Sequence, residues 1–299
     1  MNYRELYRSG ELDKRIEKFY KILESCSLCP RKCRVNRLND ENGYCRTGKL
    51  PVVSSFGPHF GEEPPLAGHF GSGTIFFTNC NLSCQFCQNC EISQLGVGRE
   101  ISIEELADKM LTLQKNKCHN INFVTPTHLI SQIISALRIA VARGLTLPLV
   151  YNCGGYESVE TLYLLDGIID IYMPDAKYGV EKEGRKYSNA PDYPQIMKEA
   201  LKEMYRQVGN LKVDENGIAQ RGLLIRHLIL PHNLAGTADV IRFIAEDISK
   251  DTYVNIMDQY HPCYKAFNFS LLSRRTTREE YVAALDIATS LGLITQIKK

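Results

Sequence analysis

No apolar run in this chain reaches the roughly 18 residues that cross a bilayer, and the opening Met-Asn-Tyr-Arg-Glu-Leu-Tyr-Arg contains no apolar signal core. The sequence therefore predicts no membrane association and a cytoplasmic location. Excess charge of either sign is lacking too: 36 Lys and Arg against 34 Asp and Glu leave a formal charge of +2. Such a balance sets up no broad field to draw in nucleic acid or an acidic membrane surface. Basic residues gather only locally, at Arg31, Lys32, Arg34, Arg37, Arg46 and Lys49 and again at Arg274, Arg275 and Arg278. Solvated faces account for both groups, and the first can equally offset the charge of a thiolate–metal centre.

Any need for covalent staples is absent as well, because 299 residues with 44% hydrophobic content suffice for one large core. Eleven cysteines in a reducing compartment then point to metal ligation rather than disulfides. Cys80, Cys84 and Cys87 stand as C-x3-C-x2-C directly after a short apolar, β-like segment. Three thiolates on one tight loop can each hold one iron of a cubane cluster and leave the fourth iron open to another ligand. Zinc knuckles pair C-x2-C with a distant second pair, which is not this pattern. Cys90, three residues further on, would block the open iron as a fourth ligand and reads as a bystander. Cys26, Cys29, Cys33 and Cys45 form a separate C-x2-C-x3-C-x11-C set. Four ligands close a site, so it reads as structural zinc or an auxiliary iron–sulfur cluster. Zinc is preferred, since the basic neighbours suit a compact thiolate site and no open position is evident; unused thiols are the alternative. Cys118, Cys153 and Cys263 read as small core residues.

The pattern predicts a helix over residues 3–24, the cysteine group, then a Pro/Gly-rich irregular connector over 55–73. Six β-like runs follow, at 74–78, 120–124, 147–151, 168–173, 223–230 and 253–257. Helical stretches alternate with them, the clearest opening on the capping box Ser102-Ile-Glu-Glu105, others near 129–142, 157–166, 193–208, 237–249 and 278–291. Alternation implies parallel strands with right-handed crossovers. Six units are too few for a closed eight-stranded barrel, so the fold class is α/β, a partial open (β/α)6 TIM-like barrel; a doubly wound sheet is the alternative. Residues 1–69 are read as a helical, cysteine-rich extension with the connector, and 70–299 as the barrel. In either architecture ligands bind at the carboxyl ends of the strands.

The cysteine loop, with Phe86 in C-x3-C-x-aromatic-C, resembles the radical S-adenosylmethionine (radical SAM) superfamily. Gln88-Asn89 is similar to the C-x-N continuation of pyruvate formate-lyase activating enzymes, and Cys26-Ser-Leu-Cys-Pro-Arg-Lys-Cys-Arg-Val-Asn-Arg37 resembles the PflX-like branch of that group. The resemblance covers nearly the whole chain. It implies the partial barrel, a [4Fe–4S] cluster on Cys80, Cys84 and Cys87, and S-adenosylmethionine chelated at the open iron. A low-potential electron then yields methionine and a 5′-deoxyadenosyl radical that takes hydrogen from a substrate. In the activating-enzyme group that substrate is a glycine on another protein, and the electron donor is a small flavin or iron–sulfur protein.

Strand ends supply the cofactor-binding candidates. Besides Asn89, they are Thr125 and Thr127 in Val124-Thr-Pro-Thr-His128, where the family carries Gly-Gly-Glu-Pro and this chain lacks both glycines and the glutamate. Asn152 follows the third strand, ahead of Gly154-Gly155, whose glycines serve the backbone by permitting positive φ. Asp175 and Lys177 match an Asp-x-Lys element that in glycyl-radical activating enzymes meets the nucleoside and carboxylate ends of the cofactor; an idle surface ion pair is the alternative. Arg226 lies in a buried strand and needs a partner, a cofactor carboxylate or a neighbouring Asp. His227, facing the other way, satisfies a core hydrogen bond. Asp258, Gln259, Tyr260 and His261 end the sixth strand and can line the substrate side. A second functional class, a non-catalytic iron–sulfur or redox-sensing protein, draws its support from the missing Gly-Gly-Glu.

Overall fold

The computed structural model describes residues 2–293. Nine strands are present among the described residues: β1 (Val52–His59), β2 (Ser72–Phe77), β3 (Arg99–Glu100), β4 (Ile121–Val124), β5 (Leu149–Cys153), β6 (Ile171–Pro174), β7 (Lys212–Val213), β8 (Ala219–Leu228) and β9 (Tyr253–Met257). Six of them, β2-β4-β5-β6-β8-β9, pair in parallel in that order. These are the six expected runs. Being buried on both faces, they read as near-continuous apolar segments such as Leu149-Val-Tyr-Asn-Cys153. The sheet does not close; β1 and then β3 extend it antiparallel beyond β2.

The helices are α1 (Tyr3–Arg8), α2 (Glu11–Leu23), α3 (Pro64–Ala67), α4 (Cys90–Ser93), α5 (Ile103–Lys115), α6 (Ile130–Ala142), α7 (Val159–Leu164), α8 (Glu181–Ser188), α9 (Tyr193–Val208), α10 (Thr237–Phe243) and α11 (Arg278–Ser290). The capping box forms at α5, with the Glu105 N–H donating to Ser102 Oγ and the Ser102 N–H to Glu105 Oε2, both at 3.1 Å. A single N-terminal helix does not form, because Gly10 at φ +75° breaks it into α1 and α2. Helix α2 buries Leu12, Phe19 and Leu23, packs on α6 and hands the chain directly to Cys26. Each such side chain contributes about 1.5–3 kcal/mol by leaving water. No helix among the described residues is long and apolar enough to cross a membrane.

The expected irregular connector is the main departure. Much of it is strand β1, in register with β2 from Phe56 opposite Ile75 to His59 opposite Ser72, followed by the one-turn helix α3. Gly57 and Pro58 hid it: both are rare inside strands, but here the pairing is at an edge, where a missing N–H and a missing side chain are tolerated. The sheet thus runs across the division drawn between residues 69 and 70. Antiparallel to β2, strand β1 ends beside the amino end of β2 at Ser72, and the turn after it brings Glu62 to Asn152 of β5 and Glu63 to Asn255 of β9.

Candidate functional site

Past β2 the backbone turns through Asn79, at φ +70°, into the cysteine loop. Phe86 anchors that loop by packing edge-on against Tyr178 and Tyr260, at 6.4 and 5.8 Å between ring centroids. This is the physical role of the aromatic between the cysteines. Each thiol has a donor: Leu82 N–H reaches Cys80 Sγ at 3.4 Å, Ser188 Oγ–H reaches Cys84 Sγ at 3.0 Å, and Ser93 Oγ lies 3.0 Å from Cys87 Sγ. Burial, then the neighbouring Cys84, pushes the Cys80 thiol well up, and the same causes push Cys87 to about 11. Three thiolates held this close need positive charge among them.

That charge fits a [4Fe–4S] cluster, which the three thiols can hold on the wall of an open cavity of about 380 Å³. Among the described residues, no three Cys, His, Asp or Glu side chains are gathered as tightly as one bound metal ion requires. A cubane asks for looser spacing, since each thiolate holds a different iron. Cys90 begins α4 and does not line the cavity.

The same cavity is lined by a charged chain of contacts along the ends of β5, β6 and β8. Lys177 Nζ donates to Asp175 Oδ2 at 2.7 Å, Arg226 Nε to Asp175 Oδ1 at 2.9 Å, and Arg226 Nη2 to Asn152 Oδ1 at 2.8 Å. Asn152 Nδ2 then donates to Glu62 Oε1 at 3.3 Å, and Glu62 also faces Arg226 at 3.8 Å. The Asp175 and Lys177 side chains are only 19% and 20% exposed, so this is no idle surface pair. Burial alone would raise the Asp175 carboxyl, but Arg226 and Lys177 pull it below its ordinary value. Burial alone would lower Lys177, and Asp175 holds it charged instead.

Of the sequence candidates, Asn89, Thr125, Asn152, Asp175, Lys177 and Arg226 line the same cavity as the three cysteines. Thr125 sits in a left-handed conformation at φ +60°. Thr127 is turned away: it is fully buried, and its hydroxyl donates to Glu157 Oε1 at 2.7 Å. Tyr151 OH donates to the other oxygen of Glu157 at 2.8 Å, and burial pushes this carboxyl up to about 7 despite both bonds. Gln259 reaches the cavity, whereas the Tyr260 hydroxyl is spent on Leu272 O. His227 is buried between Ala176 O and Thr237 Oγ1, the core role expected of it. Cys153 also lines the cavity, unlike Cys118.

Residues missed in the sequence come from the β1–α3 turn. His59, Glu62 and Glu63 all line the cavity, and Glu63 is buried with its carboxylate accepting from Asn255 Nδ2 at 2.7 Å. The available signal was chemical: two adjacent carboxylates ahead of Pro-Pro, in a stretch otherwise read as linker.

Cys26, Cys29, Cys33 and Cys45 surround a second, small cavity together with Arg37 and His128. Left-handed residues follow two of them, Arg34 at φ +61° and Arg46 at φ +52°. Such turns aim backbone N–H groups at sulfur: Tyr44 N–H reaches Cys33 Sγ at 3.2 Å, and the N–H groups of Arg31 and Thr47 serve Cys29 and Cys45.

Comparison with known proteins agrees with this site. Residues 74–214, from β2 through β7, match the model of the Radical SAM superfamily. The chain is 32% identical over 299 residues to the Methanocaldococcus jannaschii protein MJ0674, spanning 97% of this chain and 81% of that protein. The fold is that of a radical SAM methyltransferase from Sphaerobacter thermophilus, at a TM-score of 0.53 and 14% identity over 75% of this chain and 65% of that one, just under two thirds of its length. With the cysteine loop, the open six-stranded parallel sheet and the superfamily match coinciding on one cavity, the chain belongs to the radical SAM superfamily.

Proposed function

We propose that this protein is an enzyme that reductively cleaves S-adenosylmethionine and directs the resulting radical at a substrate entering the open face of the barrel. The observation that carries the reading is that the Asp175–Lys177–Arg226–Asn152 chain lines the same cavity as three thiols that leave an iron free. When bound, the cluster and S-adenosylmethionine supply the 5′-deoxyadenosyl radical. The protein's own residues bind and orient. Lys177 and Arg226 offer cations to the cofactor carboxylate, and Asp175 and Asn152 offer acceptors to ribose hydroxyls. Thr125 and the Glu62 carboxylate, reached through Asn152, stand where an ammonium group can be met, which supplies from β1 an acidic group that the β4 end lacks. Apolar Leu82, Phe76 and Met257 on the same wall keep water from a reactive intermediate.

The finer reading is activation of a glycyl-radical enzyme in the manner of pyruvate formate-lyase activating enzymes, within the PflX-like branch. It is supported by Asp175-Ala-Lys177 and by Gln88-Asn89, and by a sheet that stays open and can admit a loop of another protein. A cytoplasmic protein substrate and a low-potential donor are then the partners. Anaerobic reconstitution with dithionite tests the core reading, with 5′-deoxyadenosine and methionine expected in equal amounts. A reconstituted cluster that binds S-adenosylmethionine without ever cleaving it means a non-catalytic iron–sulfur or sensing protein instead. Proteins carrying deuterated glycine test the finer reading, because a glycine substrate moves deuterium into 5′-deoxyadenosine. Transfer from small-molecule fractions only would replace it.

A further inference from the structure

The segments that carry the N-terminal and the barrel cysteines are joined by hydrogen bonds between residues flanking them. Asn79, adjacent to Cys80, donates from Nδ2 to Thr47 Oγ1 and to Arg46 O, both at 3.4 Å, and these are the two residues after Cys45. Arg46 Nη2 reaches Ser93 O at 3.5 Å, and Ser93 Oγ contacts Cys87 Sγ. His128 makes a third link. Its ring is 1% exposed and lines the N-terminal cavity, while Nε2 donates to Thr78 O at 2.9 Å, two residues before Cys80. A carbonyl only accepts, so Nε2 carries the proton and Nδ1 keeps a lone pair. Buried Nδ1 has no hydrogen-bond partner among the described residues. An imidazole with one nitrogen bonded to a carbonyl and the other unpartnered beside four thiols is the arrangement of a metal-site histidine.

The surroundings indicate which kind of metal. The turn after Cys45 is hydrogen-bonded to Asn79, next to Cys80, and His128 on the cavity wall is bonded to Thr78, two residues before Cys80, a placement suited to passing an electron between two centres. Lys32, on the wall of this cavity, and Arg34, Arg46 and Lys49, close to it along the chain, are exposed, and Cys33 is half-exposed. We infer that Cys26, Cys29, Cys33 and Cys45, with His128 beside them, hold a second, redox-active iron–sulfur centre that receives electrons from an acidic low-potential donor protein and relays them to the barrel cluster. The electron count is simple: the donor is oxidised by one electron, the N-terminal centre is reduced and reoxidised in turn, and the barrel cluster ends one electron richer. No bond forms or breaks in the relay.

The inference rests on the radical reading of the barrel, and the experiment separates the two. The anaerobically reconstituted full chain is assayed for iron, sulfide and zinc, and freeze-quench EPR follows reduction of the barrel cluster by reduced flavodoxin or by dithionite. About eight irons per chain are expected, falling to about four in Cys26→Ala/Cys29→Ala with the barrel signal retained. That variant should be reduced by flavodoxin at least tenfold more slowly and by dithionite unchanged. Zinc at the N-terminal site, only four irons in the unaltered chain, or equal flavodoxin rates overturn the relay, whether or not dithionite-driven cleavage is seen. Should the double cysteine variant not fold, Lys32→Glu/Lys49→Glu carries the test. With eight irons retained it should be reduced more slowly by flavodoxin, with less dependence on salt; an unchanged rate and salt dependence overturn the inlet.

Discussion

Asp175 and Arg226 face each other across the ends of β6 and β8, joined by a parallel backbone bridge and by carboxylate–guanidinium contacts of 2.8 and 2.9 Å. The pair fixes where two cations can meet a ligand, because Asp175 holds Lys177 with its other oxygen. Asp175→Ala is expected to weaken S-adenosylmethionine binding roughly tenfold or more, in line with about 1.5–3 kcal/mol for a charge-assisted contact. Lys177→Ala should do likewise. Calorimetric titration of the reconstituted protein checks this; unchanged affinity in both variants would detach the network from the cofactor.

Gly155 provides a subtler probe of the same wall. It lies at φ +75°, and a Cβ there would stand 2.2 Å from Asp175 O and 2.8 Å from the Tyr193 hydroxyl, which itself bonds Asp175 O. Gly155→Ala must displace the backbone that carries Asp175. Cofactor affinity should fall as in Asp175→Ala although no group that touches the cofactor is changed, together with a loss of thermal stability. A variant with full affinity would mean that Asp175 tolerates the shift.

How much of this was legible beforehand differs by element. The six parallel strands and the cysteine loop were readable because buried strands and tight thiol spacing leave local signatures. Asp175 and Lys177 were found by their resemblance to the Asp-x-Lys element of glycyl-radical activating enzymes, and Arg226 because a charge inside an apolar strand demands a partner. Which partner it has is a matter of register between β6 and β8, and Asp175 and Arg226 lie 51 residues apart, an interval no local pattern crosses. Strand β1 stayed hidden because Gly57 and Pro58 erase the usual alternation, and with it went Glu62 and Glu63. Thr127 was one residue-pair away from the cavity: the turn at Thr125 sends the first hydroxyl to the wall and the second into the core.

The cluster assignment makes a direct prediction. Cys84→Ala removes the most buried residue of the trio and its bond from Ser188, and should abolish the barrel [4Fe–4S] signal. Cys90→Ala should retain it, since Cys90 is off the cavity wall. Iron analysis and EPR of the two variants decide the matter; the reverse pattern would reassign the ligands.

Glu157 gives the pH prediction. Burial lifts its carboxyl from 4.5 to about 7, against the hydrogen bonds of Thr127 and Tyr151. Below about pH 4.5 the folded and unfolded chains both hold the proton, and the group has no effect on stability. Between 4.5 and about 7 the unfolded chain releases it first, so the folded state loses ground as pH rises. Above that window both are ionised and the cost levels off near about 3 kcal/mol. Glu157→Gln removes the charge and keeps the shape: its oxygen accepts from one hydroxyl and its amide N–H donates to the oxygen of the other. Relative to the unaltered protein, the variant should therefore gain stability from pH 5 to pH 8, by up to about 3 kcal/mol in denaturant midpoints. Taking the difference between the two proteins cancels other titrating groups such as Asp170, which burial also raises, to about 6. A difference that stays flat with pH would show Glu157 ionised in the fold, with Thr127 and Tyr151 solvating the charge in full.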